Sequence, residues 1–164
     1  MKRALLLFLT ATLMGCAHSG TQVQIGDGAD FASYHSIGVP PFVDSKGKGT
    51  LIAQDINGSL QKLMYDPVDM IALQKILAQY KPSRTTGFDL EALEIIRKQT
   101  SADVVVLGRM APDWSAAIIT MFETQMGDPV LRAIIKPRGK KGTLFKTPEE
   151  VAAATLKVIL GAQK

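Results

Sequence analysis

The chain has 164 residues, 46% of them hydrophobic, and a formal charge of +4 at pH 7. That is enough apolar material for one buried core, and too little positive charge to mark a nucleic-acid binder. With a single cysteine no intramolecular disulfide can form, so packing alone must hold the fold.

The chain opens with a targeting pattern. Met1-Lys2-Arg3 supplies two positive charges, and Ala4 to Met14 is apolar but for two threonines. This run suits the hydrophobic region of a secretory signal and falls short of the ~20 residues that a membrane span needs. Leu13-Met14-Gly15-Cys16 then resembles the bacterial lipobox, with an aliphatic residue at −3 and a small one at −1 before a cysteine. The competing reading, a plain signal or a core helix with an incidental thiol, leaves that spacing unexplained. The resemblance implies cleavage after residue 15, so that residues 1–15 are a signal peptide and Cys16 carries diacylglycerol and palmitate as a lipid anchor. Ala17 in place of aspartate implies the outer membrane, with the domain facing the periplasm. Without Lys2 and Arg3, 17 basic residues face 15 acidic ones, close to neutrality.

Residues 17–32 are small, polar and glycine-bearing, which predicts a lipidated cysteine and flexible tether over 16–35 and one globular domain over 36–164. Nineteen extended residues reach at most about 70 Å. Ser36 to Val43 reads as a strand whose exit is marked by Pro40-Pro41, since proline cannot donate to a central ladder. After the turn Lys46-Gly47-Lys48-Gly49, Thr50 is expected to cap a helix with Ile52, Ile56, Leu60 and Leu63 on one face. Tyr65 to Met70 reads as a short strand, and Ile71 to Tyr80 as a helix burying Leu73, Ile76, Leu77 and Tyr80. A loop over 81–87 leads to a helix over 89–99, with Leu93 and Ile96 turned inward.

In Val104-Val105-Val106-Leu107 four consecutive apolar residues, three of them β-branched, predict a strand buried on both faces. Residues 116–122 and 129–136 read as a hairpin around Gln125-Met126-Gly127-Asp128. Thr147-Pro148-Glu149-Glu150 is a helix start, with a cap, a proline and a capping-box glutamate, ahead of Val151, Thr155, Leu156, Ile159 and Leu160 as the core stripe. The order β-α-β-α-α-β-β-β-α predicts an α/β (α+β) domain, a mixed sheet of about five strands with helices packed on it.

Ile37-Gly38-Val39-Pro40-Pro41-Phe42 and Ala102-Asp103-Val104-Val105-Val106-Leu107-Gly108 resemble two short motifs of a known envelope domain. It is shared by the TolB N-terminal module, the curli secretion lipoprotein CsgG and the penicillin-binding-protein activator LpoB. The likeness spans about residues 36–160 and implies the fold and the compartment. The barrel-forming segments of CsgG and the long linker of LpoB have no counterpart here, so no specific activity is carried over.

Candidate chemistry is sparse. His18 and His35 lack partners at catalytic or metal-ligand spacing and read as solvated. Gly47-Lys48-Gly49-Thr50 lies between a strand and a helix but lacks the first glycine of a P-loop and its lysine–threonine step. Trp114 and the methionines Met64, Met70, Met110, Met121 and Met126 read as packing. Asp66, Asp69 and Asp103 are the carboxylates that an enzyme would have to gather. The densest charge is Lys136, Arg138, Lys140 and Lys141, four bases within six residues, in a loop that is either solvated or meets anionic head groups or an acidic partner.

The expectation is therefore a non-catalytic, lipid-anchored envelope protein acting as an assembly, secretion or regulatory interaction module. It would have no cofactor, metal or nucleic acid, and would bind the membrane through its anchor and another envelope protein through its domain. The alternative is a periplasmic lipoprotein binding a small ligand at the carboxyl ends of the strands.

Overall fold

The computed structural model describes residues 20–27, 29–66, 68–80, 90–125, 127, 129–139 and 142–162. The signal residues 1–15, Cys16, His18, the loop at 81–87, Met126, Asp128, Lys140 and Lys141 lie outside the described residues. Among those described, five strands form one sheet in the order β1-β5-β4-β3-β2. They are β1 (Gln22–Ile25), β2 (Ile37–Gly38), β3 (Val104–Met110), β4 (Ala117–Glu123) and β5 (Pro129–Ile135). β2 runs parallel to β3, whereas the pairs β3–β4, β4–β5 and β5–β1 are antiparallel, so the sheet is mixed as the sequence predicts. Four helices cover it: α1 (Gly49–Lys62), α2 (Met70–Gln79), α3 (Leu90–Thr100) and α4 (Pro148–Gly161).

The apolar run of β3 explains the layering. Val104, Val105 and Val106 are all fully buried, and alternate side chains of a strand point to opposite faces. Val104 and Val106 join Ile52 and Ile56 of α1 and Val151 and Ile159 of α4 in one cluster. Val105 joins Leu73 of α2 and Leu93 and Ile96 of α3 in the other. Both faces of this strand are covered.

The two motifs quoted above form a single interlock. The Asp103 carboxylate accepts from the backbone N–H groups of His35 and Ser36, both at 2.9 Å, and the Ser36 hydroxyl donates to the Ser101 carbonyl at 2.6 Å. Where the double proline ends β2, the Asn57 amide takes over, donating to the Val39 carbonyl at 2.8 Å. Farther on, the Val43 N–H donates to the Gly108 carbonyl at 2.9 Å, and the buried Phe42 ring fills the space over Gly108. A Cβ at Gly108 would overlap that ring, and one at Gly49 would overlap the Phe42 carbonyl. Glycine occupies both positions because Phe42 passes so close.

Several expectations are corrected. Residues 22–25, expected as tether, instead form a strand: β1 pairs with β5, Gln22 opposite Ile134 and Ile25 opposite Leu131. The strand expected over 65–70 is reduced to one parallel bridge, Ser36 to Asp66. Asp69 turns the chain into α2 instead, accepting from the N–H groups of Ile71 at 2.9 Å and Ala72 at 3.0 Å. Thr50 lies inside α1 and does not cap it; Asp44 organises that start, its carboxylate accepting from the Lys48 N–H at 2.7 Å. Leu63, placed on the buried face, is 51% exposed because α1 ends at Lys62. Met64 fills no core either. It is 90% exposed at φ 69°, the left-handed residue that closes the helix, where Tyr65 N–H reaches the Leu60 carbonyl at 3.1 Å.

The other helices follow their sequence signals. Leu73 and Ile76 of α2 are buried, with Leu77 and Tyr80 half-buried beside them. Thr147 caps α4 by accepting from the Glu150 N–H at 3.3 Å, and the Glu150 carboxylate reaches back to the Lys146 N–H at 2.9 Å. Val151, Thr155 and Ile159 face the core, and Leu156 and Leu160 are half-buried. The Thr155 hydroxyl is fully buried, with no hydrogen-bond partner among the described residues.

Two stability measurements check this packing. Gly108→Ala is expected to cost about 1–3 kcal/mol in denaturant unfolding, because the Phe42 ring must move. Pairing it with Phe42→Leu should recover part of the loss. Thr155→Val removes an unsatisfied hydroxyl at nearly constant volume and is expected to gain about 1 kcal/mol.

Candidate functional site

The sequence-predicted basic loop follows β5 and meets two other elements. Between this loop, β1 and α4 lies an open groove of about 850 Å³. Its apolar wall begins on β1, where two-residue alternation puts Val23 and Ile25 opposite Ala133 and Leu131 of β5. These side chains stay 44% and 49% exposed on the edge strand of the sheet. α4 contributes the opposite wall. Ala153, Ala154, Lys157, Val158 and Gly161 all line the groove, the three- and four-residue spacing of one helix face. Alanine and glycine along that face leave the space open.

Charge on the rim has one dominant sign. Lys136 and Arg138 of the loop line the groove, as do Lys146 before α4 and Lys157 on it. All four are exposed. The acidic residue lining it is Glu150, whose carboxylate is engaged at the Lys146 N–H. Two of the four bases named from sequence are thus placed at one site, while Lys140 and Lys141 lie outside the described residues. Lys146, Lys157 and the apolar wall escaped sequence reading. The alternation Gln22-Val23-Gln24-Ile25 was the available signal, but it shows a wall only once β1 is known to pair with β5.

The remaining candidates serve structure. Asp69 caps α2, and Asp103 pins the strands, as described above. Asp66 bridges to Ser36, and His35 is exposed. No group of three or more His, Cys, Asp or Glu gathers in metal-binding geometry among the described residues. Tyr34, buried beside Phe31, has its hydroxyl pushed up to about 12, by burial first and then by the charges of Glu123, Asp30 and Asp103.

The glycine turn Lys46-Gly47-Lys48-Gly49, which lacks the P-loop pattern, is built around Asp44. Its second carboxylate oxygen accepts from the Trp114 indole Nε1 at 2.9 Å, and Lys46 sits 4.7 Å from the centre of that ring. Trp114 is 3% exposed, in keeping with a packing role. Burial alone would raise the Asp44 pKa; the N–H groups of Lys48 and Lys46, the indole and the Lys46 charge outweigh it and hold the carboxyl below its ordinary value. A depressed folded-state pKa stabilises the fold above the unfolded value of about 3.9, and the contribution fades as pH falls through the folded value. Asp44→Ala is therefore expected to lose about 1–2 kcal/mol at pH 7 in chemical denaturation. The gap from the parent should narrow once the pH drops below about 4.

No protein-family model matches the chain, and neither does any curated protein. Among solved structures, the fold is similar to that of a leucine-to-methionine variant of the PelC dodecamer from Paraburkholderia phytofirmans. The identity is 15% and the TM-score 0.51, over 85% of this chain and 96% of that one. The lipoprotein GNA1162 from Neisseria meningitidis aligns at 14% identity and a TM-score of 0.46, over 78% of this chain and 92% of that one. LpoB from E. coli aligns at 14% and 0.42, over 62% and 56%. At such identities the PelC likeness is one of fold.

Proposed function

We propose that the chain is a lipid-anchored, non-catalytic protein of the bacterial cell envelope, working as an assembly, secretion or regulatory interaction module. One observation carries this reading. The lipobox-like Leu13-Met14-Gly15-Cys16 is followed, only six residues after the cysteine, by the first residue of β1. An extended chain of six residues spans at most about 22 Å, so the anchor would hold the domain against its own membrane. The reach is far shorter than a tether running to residue 35 would allow. The fold shared with PelC, a protein whose solved form is a dodecamer, is in keeping with an assembly role. The likeness of the two motifs to the TolB and CsgG domains belongs to the same proposal, as do the outer membrane and the periplasm-facing orientation.

A second reading, a lipoprotein that binds a small ligand, is favoured by the groove. Its volume of about 850 Å³ falls within the ~300–1,000 Å³ of ligand sites. It opens beside α4 and the edge strand and not at the carboxyl ends of the strands collectively, which changes where such a ligand would be sought.

The test is Cys16→Ser with envelope fractionation and labelled-palmitate incorporation. The variant is expected to incorporate no palmitate and to remain as an uncleaved precursor or leave the membrane fraction. A cleaved Cys16→Ser protein that stays on membranes through a high-salt wash would end the anchor reading. In-cell crosslinking of the parent should recover partners chiefly from its own membrane.

A further inference from the structure

We propose that the groove beside β1 holds an anionic phospholipid of the membrane to which the domain is tied. The acyl chain would lie along Val23 and Ile25, and the phosphate would sit among Lys136, Arg138, Lys146 and Lys157. The identity of the membrane rests on the anchor reading above; the chemistry of the site does not.

The groove combines two properties that seldom serve one small ligand. Val23 and Ile25 leave apolar surface open to water, and burying such surface is favourable by about 25 cal/mol per Å². Four basic side chains edge the same space, on a chain that without Lys2 and Arg3 has 17 basic against 15 acidic residues. Glu150 on the same rim has one carboxylate oxygen accepting from the Lys146 N–H, and against its single charge the four cations leave the rim net positive. A free inorganic anion has no use for the apolar wall, and an uncharged hydrocarbon has none for the rim. A molecule with an acyl tail and an anionic head uses both.

Position agrees with chemistry. Thr21, the residue before β1, lines the groove. It lies five residues after Cys16, at most about 18 Å of extended chain, so an anchored domain brings the groove to the head-group layer. There each basic residue gains about 1 kcal/mol from an anionic surface. A second copy of the chain fits less well. A two-fold contact through this face would set four cations against the same four cations, a like-charge juxtaposition that opposes association.

The experiment uses the protein extracted from membranes in dodecyl maltoside and titrated with fluorescently labelled phosphatidylglycerol. Phosphatidylcholine with identical chains and inorganic phosphate serve as the comparison ligand and the competitor. Phosphatidylglycerol is expected to bind about tenfold or more tightly than phosphatidylcholine, and phosphate to displace it only weakly. Lys136→Gln combined with Arg138→Gln and Lys157→Gln should erase that preference. Ala153→Trp fills the groove from an exposed position on α4 and should weaken both lipids by about tenfold or more, with unfolding temperature unchanged. Equal binding of the two lipids by the parent would overturn the proposal, as would unaltered binding by Ala153→Trp. Complete displacement by phosphate would reduce the site to an anion site and overturn it too. So would an Ala153→Trp protein whose oligomeric mass changes while its lipid binding does not, because the face would then be an interface between copies. Membrane attachment through Cys16 is read separately by fractionation, so either proposal can fail while the other stands.

Discussion

Three valines in a row, Val104 to Val106, leave the first part of β3 with no polar face, and the fold is arranged around that constraint. An antiparallel sheet normally turns one side to water; a strand apolar on both sides needs cover on both. Here α1 and α4 supply it on one face and α2 and α3 on the other. The parallel pairing of β2 with β3 follows from the same demand. The chain between them has to cross over the sheet, and that connection carries three helices.

Such a crossover brings together segments far apart in sequence, and polar groups fix how they meet. Asp103 holds His35 and Ser36 some seventy residues away, through charge-assisted bonds to two N–H groups that would otherwise be left over at the start of β2. At the other end Phe42 wedges between Gly49 and Gly108. The short motifs that resemble an envelope domain are the two ends of this joint. They report how a strand is seated and leave open what the protein binds, which is why a shared fold with PelC at 15% identity supports no particular chemistry.

Function, on this reading, has moved to the periphery. Edge strands are ordinarily protected by charge or cover, because exposed backbone and apolar side chains invite association. β1 has glutamines on one face and Val23 and Ile25 on the other, with the basic rim standing beside them. The same short strand leaves an apolar wall open and, under the proposed lipid anchor at Cys16, would bring that wall close to the membrane through one pairing, β1 with β5.

Much of this was legible from the residues alone wherever a local signal had no competitor. The buried run at 104–106, the capped start of α4 at Thr147 and the apolar stripes of α1 and α2 each follow from periodicity or from a single capping bond. Where two local preferences competed, tertiary contacts decided. Asp69 was compatible with a strand end or a helix cap, and its two N–H partners made it a cap. Thr50 had the chemistry to start α1, but Asp44, held by Trp114 from the other side, orders the turn ahead of it and α1 begins at Gly49. Four residues, Gln22 to Ile25, alternate too briefly to announce a strand, because a strand's hydrogen bonds lie in its neighbour and not in itself. The basic loop was visible as composition; its apolar wall was not, since Val23, Ala153 and Lys157 become neighbours only when β1 and α4 close on the loop from opposite ends of the chain.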